Sequence, residues 1–105
     1  MRVISKRALR DFWEVHPSAE NPLAAWYRVL ERSTFTNFNA PKRAFGATDY
    51  VAPFSIFDIG GSKFRVITVI HYNVGRVCIR HVFTHSEYDR WSAEMRRTKN
   101  RKRGT

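Results

Sequence analysis

The segment 54–84 constrains the fold more than any other part of this chain. It contains three runs rich in β-branched and aromatic residues, which read FSIFDI, KFRVITVIHY and RVCIRHVFT. Runs of this kind are typical of β-strands. A glycine pair at 60–61 separates the first two runs, and a short loop at 73–75 that ends in glycine separates the last two. Because both are hairpin signals, the sequence predicts consecutive antiparallel strands.

Helical patterns flank this sheet in the sequence. After a short first strand in MRVI, apolar residues recur at helical spacing over 8–15, with Ser5 as a candidate N-cap. A second stripe spans 23–30, after Asn21 and Pro22, which suit an N-cap and a first helical position. Residues 34–53 show no regular period and are predicted to be irregular. A last helix is predicted over Ser86–Met95, directly after the final strand.

These elements predict an α+β fold. Two N-terminal helices pack on a mainly antiparallel sheet of about four strands, and a C-terminal helix follows. A length of 105 residues suits a single domain over 1–105. Its end, RRTKNRKRGT, is predicted to be a basic, flexible tail over about 96–105.

Composition restricts the partners and the compartment. The chain has 19 Lys and Arg against 9 Asp and Glu, a net charge of +10 that attracts polyanions, chiefly nucleic acid. An anionic membrane or an acidic protein fits the same charge. The single cysteine, Cys78, favours a reducing compartment. No apolar run could span a bilayer and no signal peptide is visible, so a cytoplasmic protein without membrane insertion is predicted. No metal-ligand spacing or phosphate loop is present, and no metal or cofactor is expected.

Turn lengths decide which strand residues share a face of the sheet. A two-residue first turn pairs Asp58 with Lys63, and a three-residue second turn pairs Tyr72 with Arg76 and Arg65 with Phe83. One face is then apolar and suits the two helices: Phe57, Ile59, Phe64, Val66, Ile70, Cys78 and Val82. The other face is open and half basic: Lys63, Arg65, His71, His81 and His85, with Ile67, Val69 and Phe83 between them. Cations and aromatic rings on one face suit a single-stranded nucleic acid. A one-residue slip at the second turn would scatter this set and bring Arg80 to the basic face instead.

The junction of the last strand and the last helix contains the candidate catalytic residues. The stretch 84–87, THSE, matches a capping box, so His85 lies in the first helical turn and Tyr88 shares its face. RNA is cut without a metal when its 2′-OH attacks the adjacent phosphorus, which requires a base, an acid and positive charge. His85 or Tyr88 suits proton transfer, and Arg65, Lys63 or Arg80 suits the reacting phosphate. Further RNA-binding candidates are basic residues elsewhere: Lys63, Arg80, His81, His71, Arg97 and Lys99.

The same residues also have a structural interpretation. Tyr88, Trp91 and Met95 match the apolar stripe of a helix packed on a core. Asp58 with Lys63 suits an ordinary cross-strand ion pair, and His71 and His81 suit ordinary strand positions.

These motifs resemble those of the HigB-type toxins of bacterial type II toxin–antitoxin systems, within the wider RelE-like superfamily. The resemblance extends to about residue 99, and its motifs are Phe57-Asp58, Gly60-Gly61, Arg65 and Thr84-His85-Ser86-Glu87-Tyr88-Asp89. It implies a RelE-like fold and a metal-independent mRNA endonuclease that acts on translated mRNA at the ribosome and inhibits growth. It also implies a HigA-like antitoxin of helix-turn-helix type. Arg65 matches the phosphate-binding arginine, while His85 and Tyr88 match polar and aromatic positions near the active site.

Two other functions fit these residues. A basic module could bind RNA or the ribosome without cutting it. Alternatively, a toxin of this superfamily could act on a protein target such as DNA gyrase. Mapping cuts in cellular mRNA separates cleavage from binding.

Overall fold

The computed structural model describes residues 1–37, 39, 45, 48–61 and 63–103, and within 98–103 it describes only the backbone. In chain order the elements are β1 (Arg2–Ile4), α1 (Lys6–Val15), a 3₁₀ turn (Pro17–Ala19), α2 (Glu20–Arg32), β2 (Thr48–Val51), β3 (Phe54–Ile59), β4 (Phe64–His71), β5 (Arg76–Thr84) and α3 (His85–Arg103). The α+β fold predicted from the sequence is confirmed. None of the helices in the described ranges is long and apolar enough to cross a membrane.

The five strands form one sheet in the order β1-β5-β4-β3-β2. The pairs β2–β3, β3–β4 and β4–β5 are antiparallel, whereas β1 is parallel to β5. The strand missing from the prediction is β2, which lies in the segment 34–53 that was predicted to be irregular. Its four residues, TDYV, are too few to show a strand period, and pairing with β3 fixes their conformation.

Helices α1 and α2 cover one face of the sheet and enclose the main core. The buried cluster contains Val3, Leu9, Ala19, Leu23, Trp26, Leu30, Phe35, Phe57, Ile59, Phe64, Val66 and Val77. Removing this apolar surface from water is the main driving force for the fold. Val15, predicted to belong to the α1 stripe, is instead 74% exposed, because the helix ends there.

The predicted helix starts are partly corrected. Ser5 occupies the N-cap position of α1, but its side chain makes no capping hydrogen bond. Helix α2 begins at Glu20, so Asn21 and Pro22 lie inside its first turn rather than at its boundary. Proline is tolerated there because the first N–H groups of a helix have no partner within the helix.

The second face of the sheet, predicted to be open, is partly covered by α3. Ile56 and Ile67 are buried on this face, at 1% and 0% exposure. Trp91 of α3 contacts Phe54 and Phe83, with ring centroids 5.4 Å and 6.0 Å away. A second, smaller apolar layer therefore joins α3 to the sheet.

Helix α3 is also longer than predicted, because it continues past Met95 to Arg103. Arginine and lysine are good helix formers, and cations near a helix C-terminus interact favourably with its dipole. The flexibility proposed for this basic segment stays a prediction.

The first hairpin has a longer turn than predicted. Ile59 pairs with Phe64, and Asp58 pairs with Arg65 instead of Lys63. A shift of two residues keeps every side chain on its own face, because side chains alternate with a period of two. The assignment of β3 and β4 residues to the two faces is therefore unchanged.

The second hairpin contains a β-bulge. Arg65 pairs with Phe83 as predicted, but His71 pairs with Arg76, so the predicted pairing of Tyr72 is wrong. The register changes by one residue along β5, and Arg80 has no direct partner on β4. As a consequence Val77 and Ile79 pack toward the main core. Cys78, predicted for that face, lies on the opposite one.

Candidate functional site

A reciprocal capping box fixes the start of α3 and confirms the prediction from THSE. The Thr84 N–H donates to Glu87 Oε1 over 2.9 Å, and the Glu87 N–H donates to Thr84 Oγ1 over 3.3 Å. The bond from the Thr84 N–H lowers the pKa of the Glu87 carboxyl, because it stabilises the charged form. The His85 N–H donates to the Lys63 carbonyl over 3.1 Å. The helix start is thereby tied to the β3–β4 turn.

Arg65 lies between an acidic and an aromatic side chain. Its Nε is 2.6 Å from Oδ1 of Asp58 on the neighbouring strand. Its guanidinium carbon lies over the Tyr88 ring, 5.1 Å from the centroid. The Arg65 side chain is only 11% exposed and that of Asp58 is 22% exposed. The structure thus brings two predicted site residues together and adds a carboxylate that sequence reasoning had paired elsewhere.

His85 is at the same end of α3 but has a different partner. Its Nε2 lies 3.4 Å from Oδ2 of Asp89, one helical turn away. The two side chains are 58% and 62% exposed, so this contact lies in solvent. Tyr88 instead contacts Arg65 and the Trp91 ring, 6.1 Å between centroids. The contacts that the structure describes do not link the two predicted proton-transfer groups directly.

An aromatic cluster centred on Trp91 adjoins the corner where β5 meets α3. The Trp91 cluster contains Phe54, His81, Phe83, Tyr88 and Trp91. The His81 and Phe83 rings stack with centroids 4.9 Å apart and planes tilted by 11°. The predicted structural stripe is therefore confirmed for Tyr88 and Trp91, whereas Met95 is 37% exposed.

Arg80 lies beside α1 and not in the core. It contributes to an open groove of about 390 Å³ between α1 and the outer edge of β5. The lining residues are Ala8, Asp11, Phe12, Val15, His16, Ile79, Arg80, His81, Val82 and Glu87. Strand β1 pairs only with residues 76–78 of β5, so it ends before this groove. His81 joins the groove to the Trp91 cluster, because it contributes to both.

Two of the predicted RNA-binding residues lie far from the corner. His71 is at the other end of β4, six residues from Arg65, a separation of roughly 20 Å along a strand. Arg97 is twelve residues after His85 on α3, roughly 18 Å along the helix axis. Arg97 lies 3.6 Å from Glu94. The side chain of Lys99 lies outside the described residues.

Lys63 is the remaining predicted residue and lies exposed in the β3–β4 turn, next to the start of α3. The corner therefore groups Lys63, Arg65, His85 and Tyr88. In the described part of the chain, no three His, Cys, Asp or Glu side chains are close enough together to hold a metal ion.

Sequence reasoning missed the partner of Arg65 and the role of Trp91 as a support. An acidic residue inside the apolar run FSIFDI was the available signal for a partly buried ion pair. The Trp91 cluster could not be found in this way, because it depends on the angle at which α3 crosses the sheet.

The fold and this basic, aromatic corner are consistent with a RelE-like toxin. The family HigB_toxin, described as the RelE-like toxic component of a toxin–antitoxin system, matches residues 19–91. The chain therefore belongs to the HigB toxin family.

Named relatives cover nearly the whole chain. The mRNA interferase toxin HigB of Escherichia coli (strain K12) is 30% identical over 105 residues, which cover 97% of this chain and 100% of that protein. The mRNA interferase HigB of Shigella flexneri matches to the same extent. The mRNA interferase HigB of Escherichia coli O6:H1 is 28% identical over 102 residues, which cover 94% of this chain and 99% of that protein.

Proposed function

We propose that this chain is the toxin of a toxin–antitoxin pair and acts as an endoribonuclease that cleaves mRNA. The observation that carries the proposal is its similarity, over 97% of its length, to a protein named mRNA interferase toxin. The corner of Arg65, Tyr88 and His85 at the start of α3 supports it, because these side chains offer a cation and two proton-transfer groups.

The proposed reaction requires no metal. A base removes the proton of the 2′-OH, the 2′-oxygen attacks the adjacent phosphorus, and the 5′-oxygen leaves with a proton from an acid. His85 and Tyr88 carry out these two proton transfers. Arg65 and Lys63 stabilise the negative charge that develops on the phosphorus oxygens. Arg80 and His81 bind the flanking strand, and the distant His71, Arg97 and Lys99 add general attraction for RNA.

The wider setting is part of the same proposal. We infer a single RelE-like domain over 1–105 that works in the cytoplasm on mRNA being translated at the ribosome, so that translation and growth stop. A HigA-like antitoxin of helix-turn-helix type holds it inactive. The net charge of +10 favours both an acidic protein partner and ribosome-bound RNA.

Mapping of mRNA 5′ ends minutes after induced expression in a bacterial host tests this function. Wild type is compared with His85→Ala and with His71→Ala, a matched histidine control at the far end of β4. We expect new cuts inside reading frames for wild type and His71→Ala, and none for His85→Ala. Growth arrest without new cuts would exclude cleavage and favour a protein target or a non-cutting RNA binder.

A further inference from the structure

The ion pair between Asp58 and Arg65 joins neighbouring strands and is largely buried. The two residues are direct partners in the β3–β4 ladder, so their side chains leave the same face of the sheet side by side. Their Oδ1 and Nε atoms are 2.6 Å apart, a short charge-assisted contact. Both side chains are mostly removed from water, which distinguishes this pair from the exposed pair of His85 and Asp89. A pair in such surroundings is screened far less than a surface pair.

The Arg65 guanidinium also contacts a residue of the candidate site. Its central carbon lies over the Tyr88 ring, 5.1 Å from the centroid. Tyr88 is in the first turn of α3, whose start is held by the capping box. A continuous chain of contacts therefore runs from Asp58 through Arg65 to Tyr88.

We propose that Asp58 is a positioning residue for RNA cleavage, a role that rests on the proposed ribonuclease function. Asp58 holds the Arg65 guanidinium in one orientation, and Arg65 in turn holds the Tyr88 ring. Asp58 itself does not contact the RNA, since a carboxylate repels phosphate. Its contribution is preorganisation: a cation already aimed at the phosphate needs no rearrangement as charge develops in the transition state.

Single-turnover cleavage of an mRNA on translating ribosomes tests this role. Purified wild type is compared with Asp58→Asn, which keeps the shape of the side chain and removes its charge. We expect the rate at saturating toxin to fall about 10- to 100-fold, with little change in the half-saturating concentration, because a misplaced group impairs the transition state more than binding. The matched control is Asp49→Asn, which removes an exposed carboxylate from β2 and should cut at the wild-type rate. A wild-type rate for Asp58→Asn overturns the inference, as does a loss confined to the half-saturating concentration.

A double-mutant cycle separates positioning from a general structural effect. If Asp58 acts only through Arg65, Asp58→Asn causes no further loss of rate in an Arg65→Ala background. Losses that multiply independently overturn the inference.

Should Asp58→Asn fail to fold, Asp58→Glu replaces it, because it keeps the charge and displaces the carboxylate by one methylene. A reduced saturating rate in a protein of wild-type stability then supports positioning, and an unchanged rate overturns it. If wild type itself cuts no mRNA in this assay, the ribonuclease proposal fails, and not merely the role of Asp58.

Discussion

Removal of the Glu87 charge at the start of α3 gives a prediction whose size follows from the structure. Glu87→Gln keeps an oxygen that can accept the Thr84 N–H, now 2.9 Å from Oε1, but it removes the negative charge. A hydrogen bond to a charged group contributes about 1.5–3 kcal/mol and a neutral one about 0.5–1.5 kcal/mol. Glu87 is only partly buried, so we take the lower end and expect a loss of about 1 kcal/mol in the free energy of unfolding at pH 7. That loss lowers the urea midpoint by about 0.5 M.

The pH dependence provides the sharper test. Because folding lowers the pKa of Glu87, its stabilisation is present above the ordinary glutamate pKa of about 4.3 and is lost as the pH falls through the lower, folded value. Urea titrations from neutral to acid pH should therefore show the wild-type advantage over Glu87→Gln disappearing toward the acid end. Glu94→Gln is the matched control, since Glu94 is 69% exposed and its pair with Arg97 should contribute less than about 0.5 kcal/mol. An equal loss in both variants, or an advantage that persists unchanged in acid, would refute the reasoning.

Three further predictions concern the corner and its support. Tyr88→Phe keeps the ring over Arg65 and removes only the hydroxyl; we expect single-turnover cleavage to fall by about 10²- to 10⁴-fold, with thermal stability unchanged. Cleavage by Tyr88→Phe at the wild-type rate would show that Tyr88 does not transfer a proton. Trp91→Ala deletes the centre of an aromatic cluster and should lower the free energy of unfolding by about 2–4 kcal/mol, measured in urea; a loss below about 0.5 kcal/mol would show that α3 is held by other contacts. Arg97→Ala lies far from the corner and should reduce the salt dependence of RNA affinity by about one unit of slope, while the saturating cleavage rate stays the same. A fall in that rate would place Arg97 closer to the chemistry than the structure does.

The parts of the fold that sequence reasoning predicted correctly are those with a long, clear period. Strands β3, β4 and β5 contain six or more residues each, and their pattern identifies all three as strands. The apolar face was predicted correctly for β3 and β4, whereas on β5 the bulge places Cys78 on the opposite face. The capping box was predictable for another reason, because its two side chains bond to backbone groups only three residues away. Strand β2, with four residues, has too short a pattern and depends on its neighbour.

The candidate site was predictable only in part, because it depends on register and on tertiary packing. The sequence placed Arg65 on the correct face, since an error of two residues in the first turn does not change faces. The same error left Asp58 paired with Lys63 instead of Arg65. The proximity of Arg65 to Tyr88 depends on the path of α3 across the sheet, which no local pattern specifies.

The bulge at Arg80 adds one residue to β5, so that apolar residues with uneven spacing in the sequence all face the core. On β5 the core side receives Val77 and Ile79 before the bulge and Val82 after it, a spacing of two and then three residues. Deleting Arg80 would make this spacing a uniform two. Every apolar residue then keeps its face, and no charge enters the core. We therefore expect the Arg80 deletion to fold, with the free energy of unfolding reduced by no more than about 1–3 kcal/mol, the usual range for single changes.

Deletion of Cys78, two residues away on the same strand, is the matched control. Without Cys78 the strand has two possible registers: one keeps the bulge and turns Arg76 toward the core side, and the other loses the bulge and turns Arg80 toward it. The first register places the Arg76 guanidinium at the fully buried position of Val77, and the second places that of Arg80 at the half-buried position of Ile79. We therefore expect this deletion to lower the free energy of unfolding more than the deletion of Arg80 does. Circular dichroism shows whether each deletion variant folds, and urea titration measures its free energy of unfolding. If the two deletions lower the free energy of unfolding equally, Arg80 at the bulge is no more dispensable than Cys78. The alternation of core-facing and outward-facing residues on β5 then does not control the register of that strand.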